Sequence, residues 1–347
     1  MDPLSHEKFI SIFDDLVQEL KNHLSRGGFS AEAIQQFSHC LNTNTTSGKL
    51  HRGLTVLVTA NNILNRPLSD EEFRQLSILG WLIELFQAAY LIWDDIMDNS
   101  TTRRGQPCWY RQPGVGLMAV NDACLLKSAI FLLLESHFTD HPAYTSFVNL
   151  FLKASLETEL GQFSDMFASH QELGSFTMDK YRFIVDRKSS YYSLYMPVAL
   201  VLVYLRLSSP SNLGQARKLA TALGEYFQIE DDYLDVFGDP HITKKIGTDI
   251  QDNKCTWVIN EAIIRCSDKQ LCELQKTYGR NDTKLVSRAK DVFKELGIET
   301  IYEHLEETQT ANIEEMIANI DESEGLKQDV FTQLFAQFRR GRGVKAP

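Results

Sequence analysis

Two strongly apolar stretches with helical spacing each run into the same kind of acidic pentad: Asp94-Asp95-Ile96-Met97-Asp98 and, far along the chain, Asp231-Asp232-Tyr233-Leu234-Asp235. The apolar lead-ins, Leu82 to Trp93 and Tyr226 to Ile229 within a longer helix, mark where buried helices open toward a polar cavity. In helical geometry residues i and i+4 share a face, so Asp94 projects with Asp98 and Asp231 with Asp235. Carboxylates stacked this closely repel one another. A hard divalent cation relieves that repulsion, and Mg²⁺ takes one or two carboxylates with waters and phosphate oxygens rather than a closed protein cage. A single such pentad is commonly just a solvated acidic surface; two of them point to a diphosphate held through several Mg²⁺ ions. Neither copy has the glycine at loop position six or the glutamate at position twelve that an EF-hand requires.

Local signals make the chain all-α. Ser69 with Glu72 three residues on is a capping box, and no proline interrupts the 3.6-residue pattern from Asp70 to Asp98, which predicts one long helix. On an ideal wheel Gln87 and Tyr90 fall within about 40° of Asp94, so Ile83, Gln87, Tyr90, Asp94 and Asp98 are expected to form one stripe. Further helices are predicted over Asp122 to Phe138, Tyr144 to Ser169, Asp179 to Leu207, Leu213 to Val236 and Thr256 to Ile264, with several more from Asp268 onward. Strand-type alternation is rare. Gly238 and Pro240 stop the second acidic helix, and the loop beyond it carries Lys244 and Lys245.

The chain has 347 residues, a formal charge of -11, nine prolines and no Gly/Ser-rich linker, which predicts one large helical domain over residues 1–347. The acidic balance argues against nucleic acid as a partner. Met1 to Leu20 lacks the pattern of a secretory signal, and the apolar run Leu194 to Leu205 is short of the roughly 20 residues a transmembrane helix needs. Six scattered cysteines without metal spacing suit reduced thiols, so a cytoplasmic protein is expected.

Basic residues cluster beside glycines in Gly48-Lys49-Leu50-His51-Arg52-Gly53 and Thr102-Arg103-Arg104-Gly105. Either string alone is commonly solvated surface. Arg103 and Arg104 follow Asp98 so closely, however, that an anion bound through metal would lie between acid and guanidinium, and guanidinium groups grip phosphate bidentately.

Taken together these motifs resemble the trans-prenyl diphosphate synthases, most closely the eukaryotic type of farnesyl diphosphate synthase. The resemblance runs nearly end to end. It is carried by the two pentads, both basic strings, Gln106 to Tyr110, Gln162 with Asp165, Lys188-Ser189, Phe227 to Glu230, and Lys245-Ile246-Gly247-Thr248-Asp249-Ile250-Gln251-Asp252-Asn253-Lys254-Cys255. It implies a single helical bundle of the isoprenoid synthase type around a central cavity, in a homodimer acting on small-molecule prenyl diphosphates. Asp94, Asp95, Asp98, Asp231, Asp232 and Asp235 would hold three Mg²⁺ ions. Arg103, Asp165, Lys188, Lys245 and Lys254 would serve the allylic diphosphate, and Lys49, Arg52, Gln87 and Arg104 the diphosphate of isopentenyl diphosphate. Lys188, Ser189, Gln228 and Lys245 are the implied catalytic set, with backbone carbonyls near Lys188 and Ser189 and the Gln228 amide beside a carbocation.

Several positions depart from the family pattern. His51 replaces the usual asparagine, Arg187 an aromatic and Met118 an aspartate, and the C-terminal tail is altered. Where the family's farnesyl synthases place two large aromatics before the first motif, this chain has Ala89 and Tyr90, with Trp93 one turn on. If Trp93 refills the space at Ala89 the product is farnesyl diphosphate; if it points elsewhere, geranylgeranyl diphosphate; if it intrudes near the metals, geranyl diphosphate. Two rival readings are a class I terpene cyclase, whose Asn/Ser/Glu metal triad is incomplete at Asn281-Asp282, and a non-catalytic regulatory paralogue.

Overall fold

The computed structural model describes residues 3–239 and 247–340. Its helices in chain order are α1 (Pro3–Arg26), α2 (Ala31–Thr45), α3 (His51–Leu64), α4 (Asp70–Met97), α5 (Met118–Phe138), α6 (Tyr144–Ser169), α7 (Met178–Val185), α8 (Met196–Tyr204), α9 (Pro210–Phe237), α10 (Trp257–Arg265), α11 (Asp268–Thr277), α12 (Thr283–Glu295), α13 (Ile298–Ala318) and α14 (Gln328–Arg340). Among the described residues the only sheet is a two-stranded antiparallel ribbon, β1 (Thr102–Arg103) with β2 (Gln106–Pro107). The chain divides into two compact units, Met1–Lys153 with Met196–Leu213 and Asp321–Val330, and Ala154–Tyr195 with Gly214–Ile320 and Phe331–Pro347.

In the first unit α4 is the core element. Ser69 and Glu72 close the predicted capping box at its start, and from Leu76 to Tyr90 every residue is buried. A helix that is apolar all round must be enclosed. Its apolar window is long enough to cross a membrane, but 89% of that window is buried inside the fold, which makes it a core helix. Trp81 stacks on Phe9 of α1 at 4.5 Å and donates its indole N–H to the Phe9 carbonyl at 2.8 Å. Truncating such a buried aromatic to alanine costs about 3–5 kcal/mol. α3 crosses α4 where Gly53 meets Gly80: a Cβ on Gly80 would lie 2.7 Å from the Gly53 carbonyl oxygen, so neither position has room for a side chain.

In the second unit Trp257, Phe293 and Tyr278 are buried, and Tyr233 stacks on Tyr302 at 3.9 Å. The single helix expected over Asp179 to Leu207 is instead α7, a wide-turned π-helical segment (Asp186–Tyr195) and α8. Pro197 follows directly and lacks the N–H that regular turns need, a defect that wider turns accommodate. The segment is seated on glycines: a Cβ at Gly161 of α6 would fall 2.2 Å from the Lys188 nitrogen, and one at Gly224 of α9 would fall 1.9 Å from Ser190 Oγ. Boundaries shift elsewhere. α5 begins at Met118 rather than Asp122, and α9 at Pro210 rather than Leu213, because proline suits a first helical turn.

Candidate active site

At the end of α4 the pentad divides by face. Asp94 and Asp98 are partly exposed, whereas Asp95 turns inward at 4% exposure. Arg103 donates Nε to Asp95 Oδ1 at 3.0 Å and Nη2 to both Asp95 Oδ1 (2.6 Å) and Asp94 Oδ2 (3.1 Å). Cys108 lies beside the same carboxylate, and burial first, then the Asp95 charge, push its thiol up to about 12. The loop leaving the pentad is held by Tyr110, whose hydroxyl donates to the Ser100 carbonyl at 2.7 Å, and by Arg111, which donates to Asn99 Oδ1 at 2.7 Å.

Arg104 and Gly105 form the turn between β1 and β2, both with positive φ (54° and 76°) as a two-residue hairpin requires. That turn sends the Arg104 guanidinium back to the other basic string. Its Nη1 donates to Ser47 Oγ at 2.8 Å, and a Cβ on Gly48 would lie 2.8 Å from Nη2, so the glycine makes room for the arginine. Lys49 is exposed and Arg52 half-buried at the start of α3, and Gln87 of α4 is buried. His51 is exposed, and partial desolvation, then the charges of Lys49 and Arg52, hold its imidazole below the ordinary value.

Glu84 went unrecognised in the sequence, where it reads as one polar residue in an apolar helix. It is 4% exposed and accepts the Gly53 N–H at 2.8 Å. Burial raises its pKa, against which Arg52, the Gly53 and Arg52 amides, and Arg104 all act. Three separated sequence elements thus meet around one buried carboxylate.

The second unit carries its own polar centre. Asp165 of α6 accepts from Lys188 Nζ at 2.7 Å and Lys254 Nζ at 2.9 Å. Burial pushes its pKa up, but the two ammonium groups prevail and hold it well below the usual carboxylate range. On the same face of α6, the Gln162 Nε2 and Thr158 Oγ1 atoms are buried without an acceptor or donor among the described residues. No sequence motif pointed to Thr158. Lys188 and Ser189 lie in the wide-turned segment, whose backbone is set by Gly161 and Gly224.

Asp231 and Asp235 are partly exposed on one face of α9, as expected. Asp235 accepts the Thr248 and Asp249 backbone N–H groups at 3.3 and 3.0 Å, and a Cβ at Gly247 would clash with it. Asp232 turns inward at 3% exposure. It accepts from the Gln228 amide at 2.9 Å and from the Trp257 N–H at 2.8 Å, which caps α10. Burial, and secondarily Asp231, raise its pKa to about 7 against the donors Gln228 and Trp257 and the nearby Tyr181 phenol. Its contacts are those of a helix anchor, and Gln228 is tied to it. Lys245 and the neighbouring Lys244 lie outside the described residues, as does the tail beyond Arg340.

Of the positions expected to set chain length, Ala89 is fully buried and Tyr90 is 8% exposed. Tyr90 packs tilted against Phe86 at 4.4 Å and meets Trp93 edge-on at 5.1 Å. The Trp93 indole donates to the Val120 carbonyl at 3.4 Å, and Lys127 Nζ lies 5.7 Å from the Tyr90 ring and 5.8 Å from the Trp93 ring. Besides Tyr90, Val120 and Lys127 of α5 thus engage Trp93. Two other departures acquire contacts or settings: Arg187 pairs with Glu157 and covers Phe183 at 4.4 Å, while Met118 is 60% exposed.

The donors suit a hard cation. Asp94 with Asp98, and Asp231 with Asp235, present carboxylate oxygens in pairs. This fits Mg²⁺ arriving with phosphate and water.

The model of the polyprenyl synthetase family matches residues 34–296. The chain is 46% identical over 334 residues to a farnesyl pyrophosphate synthase of Candida albicans, covering 94% of this chain and 95% of that one. It is 44% identical to the Saccharomyces cerevisiae farnesyl pyrophosphate synthase, covering 95% of each. Among solved structures, a T. brucei farnesyl diphosphate synthase complexed with homorisedronate superposes with a TM-score of 0.89 at 30% identity, covering 96% of this chain and 99% of that one.

Proposed function

Because the chain belongs to the polyprenyl synthetase family, we propose that it condenses isopentenyl diphosphate head to tail with dimethylallyl and then geranyl diphosphate, releasing farnesyl diphosphate. What supports this reading is that the first unit holds two separate clusters, each suited to a diphosphate. One is the Asp94/Asp95/Arg103 cluster, and the other is Arg52 and Arg104 with the Glu84 carboxylate on which both act. A cyclase has one diphosphate to hold; a condensation has two.

By family membership Asp94, Asp98, Asp231 and Asp235, with Asp95 and Asp232 behind them, would hold Mg²⁺, which when bound would offset the charge developing on the allylic diphosphate. The family's pattern would give Arg103, Lys188, Lys245 and Lys254 to that diphosphate, and Asp165 holds the Lys188 and Lys254 ammonium groups in place. Carbonyls near Lys188 and Ser189 and the Gln228 amide present dipoles to the allylic cation, and apolar walls exclude water. Lys49, Arg52, Gln87 and Arg104 orient isopentenyl diphosphate, whose double bond attacks the cation. The departing diphosphate takes the final proton.

Farnesyl diphosphate is favoured because relatives of that name match along nearly the whole chain and because Tyr90 is clamped between Phe86 and Trp93. Geranylgeranyl diphosphate is the second reading, resting on the small side chain at buried Ala89. The chain is further proposed to be a cytoplasmic homodimer. Leu152, Leu156, Leu160, Phe163 and Phe167 form an exposed stripe along α6, with Phe163 and Phe167 stacked at 5.9 Å, a patch that suits a second copy. Purified protein with Mg²⁺, isopentenyl diphosphate and dimethylallyl diphosphate, analysed by mass spectrometry after dephosphorylation, is expected to yield a fifteen-carbon alcohol. A twenty-carbon product would move the reading to the second, and no elongation at all would overturn both.

A further inference from the structure

We propose that Glu84 is the positioning residue of the homoallylic half of the site, an internal anion that occupies the start of α3 so that isopentenyl diphosphate is gripped by side chains and not by helix amides. This deepens the proposed condensation and rests on it. The first amides of a helix have no partner within it and make a natural phosphate seat. Here the seat is taken: the Gly53 N–H donates to Glu84 Oε1 at 2.8 Å, and the Arg52 amide acts on the same carboxylate.

Three features make this arrangement more than a cap. The contact crosses from α4 to α3 at the point where Gly53 and Gly80 touch, so the two helices cannot separate or slide without breaking it. A buried carboxylate is retained only where cations or hydrogen bonds compensate it, and Arg52 and Arg104 are the cations that act on it. Those arginines come from different strings, and Gly48 and Ser47 leave Arg104 a fixed berth beside the first. The Gly53 contact fixes the backbone that carries Arg52, Ser47 and Gly48 seat Arg104 beside that string, and the Glu84 charge favours both guanidinium groups there before substrate arrives, which removes an ordering cost from binding.

Glu84→Gln tests this, because an amide has one acceptor oxygen where the carboxylate has two and it carries no charge. Steady-state kinetics are expected to show the KM for isopentenyl diphosphate raised about tenfold, with the allylic KM moved less than twofold. Calorimetry with inorganic diphosphate on metal-free protein reads the same site without turnover and is expected to show weaker binding in the variant. Glu84→Asp, which keeps the charge, is expected to recover part of the loss and guards against a folding defect in the first variant. An unchanged or lowered KM for isopentenyl diphosphate in a folded Glu84→Gln protein would overturn the proposal, as would equal increases in both KM values. A wild-type protein that binds diphosphate but elongates nothing would instead count against the condensation, leaving calorimetry to decide the role of Glu84.

Discussion

At the end of α4 the middle aspartate of the pentad, Asp95, faces a guanidinium, while at the end of α9 its counterpart, Asp232, faces an amide, a backbone N–H and a phenol. Both are buried, and both sit between partly exposed aspartates one helical turn apart. Their electrostatics nevertheless diverge. Asp95 is neutralised by Arg103, whereas Asp232 is surrounded by uncharged donors and lies next to Asp231, so burial raises its pKa to about 7. The same short string thus yields an ion pair in one unit and a neutral-leaning helix anchor in the other. The outer aspartates are the part the two motifs share.

The comparison breaks most visibly if the shared part is removed. Asp94→Ala and Asp231→Ala should each lower kcat by about 10²–10³, the scale for losing one electrostatic contributor to a developing charge. Near-normal turnover in both variants would sink the common metal role. Next in size is backbone closure: Gly80→Ala and Gly161→Ala should each cost about 1–3 kcal/mol in denaturant unfolding, as overpacked sites do. Gly161→Ala should also displace Lys188 and depress kcat in the folded protein, whereas Gly80→Ala should act on the KM for isopentenyl diphosphate, so the same kinetic change in both would show that the two glycine contacts are not distinct.

A smaller effect separates the middle aspartates. Asp95→Asn should cost about 1.5–3 kcal/mol, the range for hydrogen bonds to charged groups, and its effect should shrink in high salt. For Asp232 the folded-state pKa lies above the ordinary value, so the folded protein holds a proton that the unfolded chain has released. Stability of metal-free protein should therefore fall as pH rises between about 4 and 7 and level off above that. Urea titrations across that range should show the slope in wild type and its loss in Asp232→Asn; a slope that persists would assign it to another group. Smallest is Arg187→Phe, which restores the family's aromatic. Loss of the half-buried pair with Glu157 should change stability by at most about 1 kcal/mol, measurable as a small shift in Tm.

Much of the architecture was legible beforehand because it is written in local terms. The capping box at Ser69, the proline-free run of α4, the stop at Gly238 and the i, i+4 pairing of Asp94 with Asp98 all follow from residues within a turn or two of each other. The wide turns over Asp186–Tyr195 did not, because the sequence from Asp179 to Leu207 has an ordinary helical period; what seats that backbone is the absence of side chains at Gly161 and Gly224 on other helices. Trp93 is similar: its position relative to Ala89 was calculable on a wheel, but the Val120 carbonyl and Lys127 that engage the indole come from α5.

By itself, then, the sequence determined the all-helical class, the two acidic pairs and the basic strings as candidates, since helix period and side-chain type are properties of short segments. Only the tertiary structure decided that Glu84 gathers Arg52, Arg104 and the start of α3, that Asp165 joins Lys188 to Lys254, and that Asp95 and Asp232 turn inward to unlike partners. A carboxylate's role depends on the charges and donors packed around it, and those are supplied by residues distant along the chain.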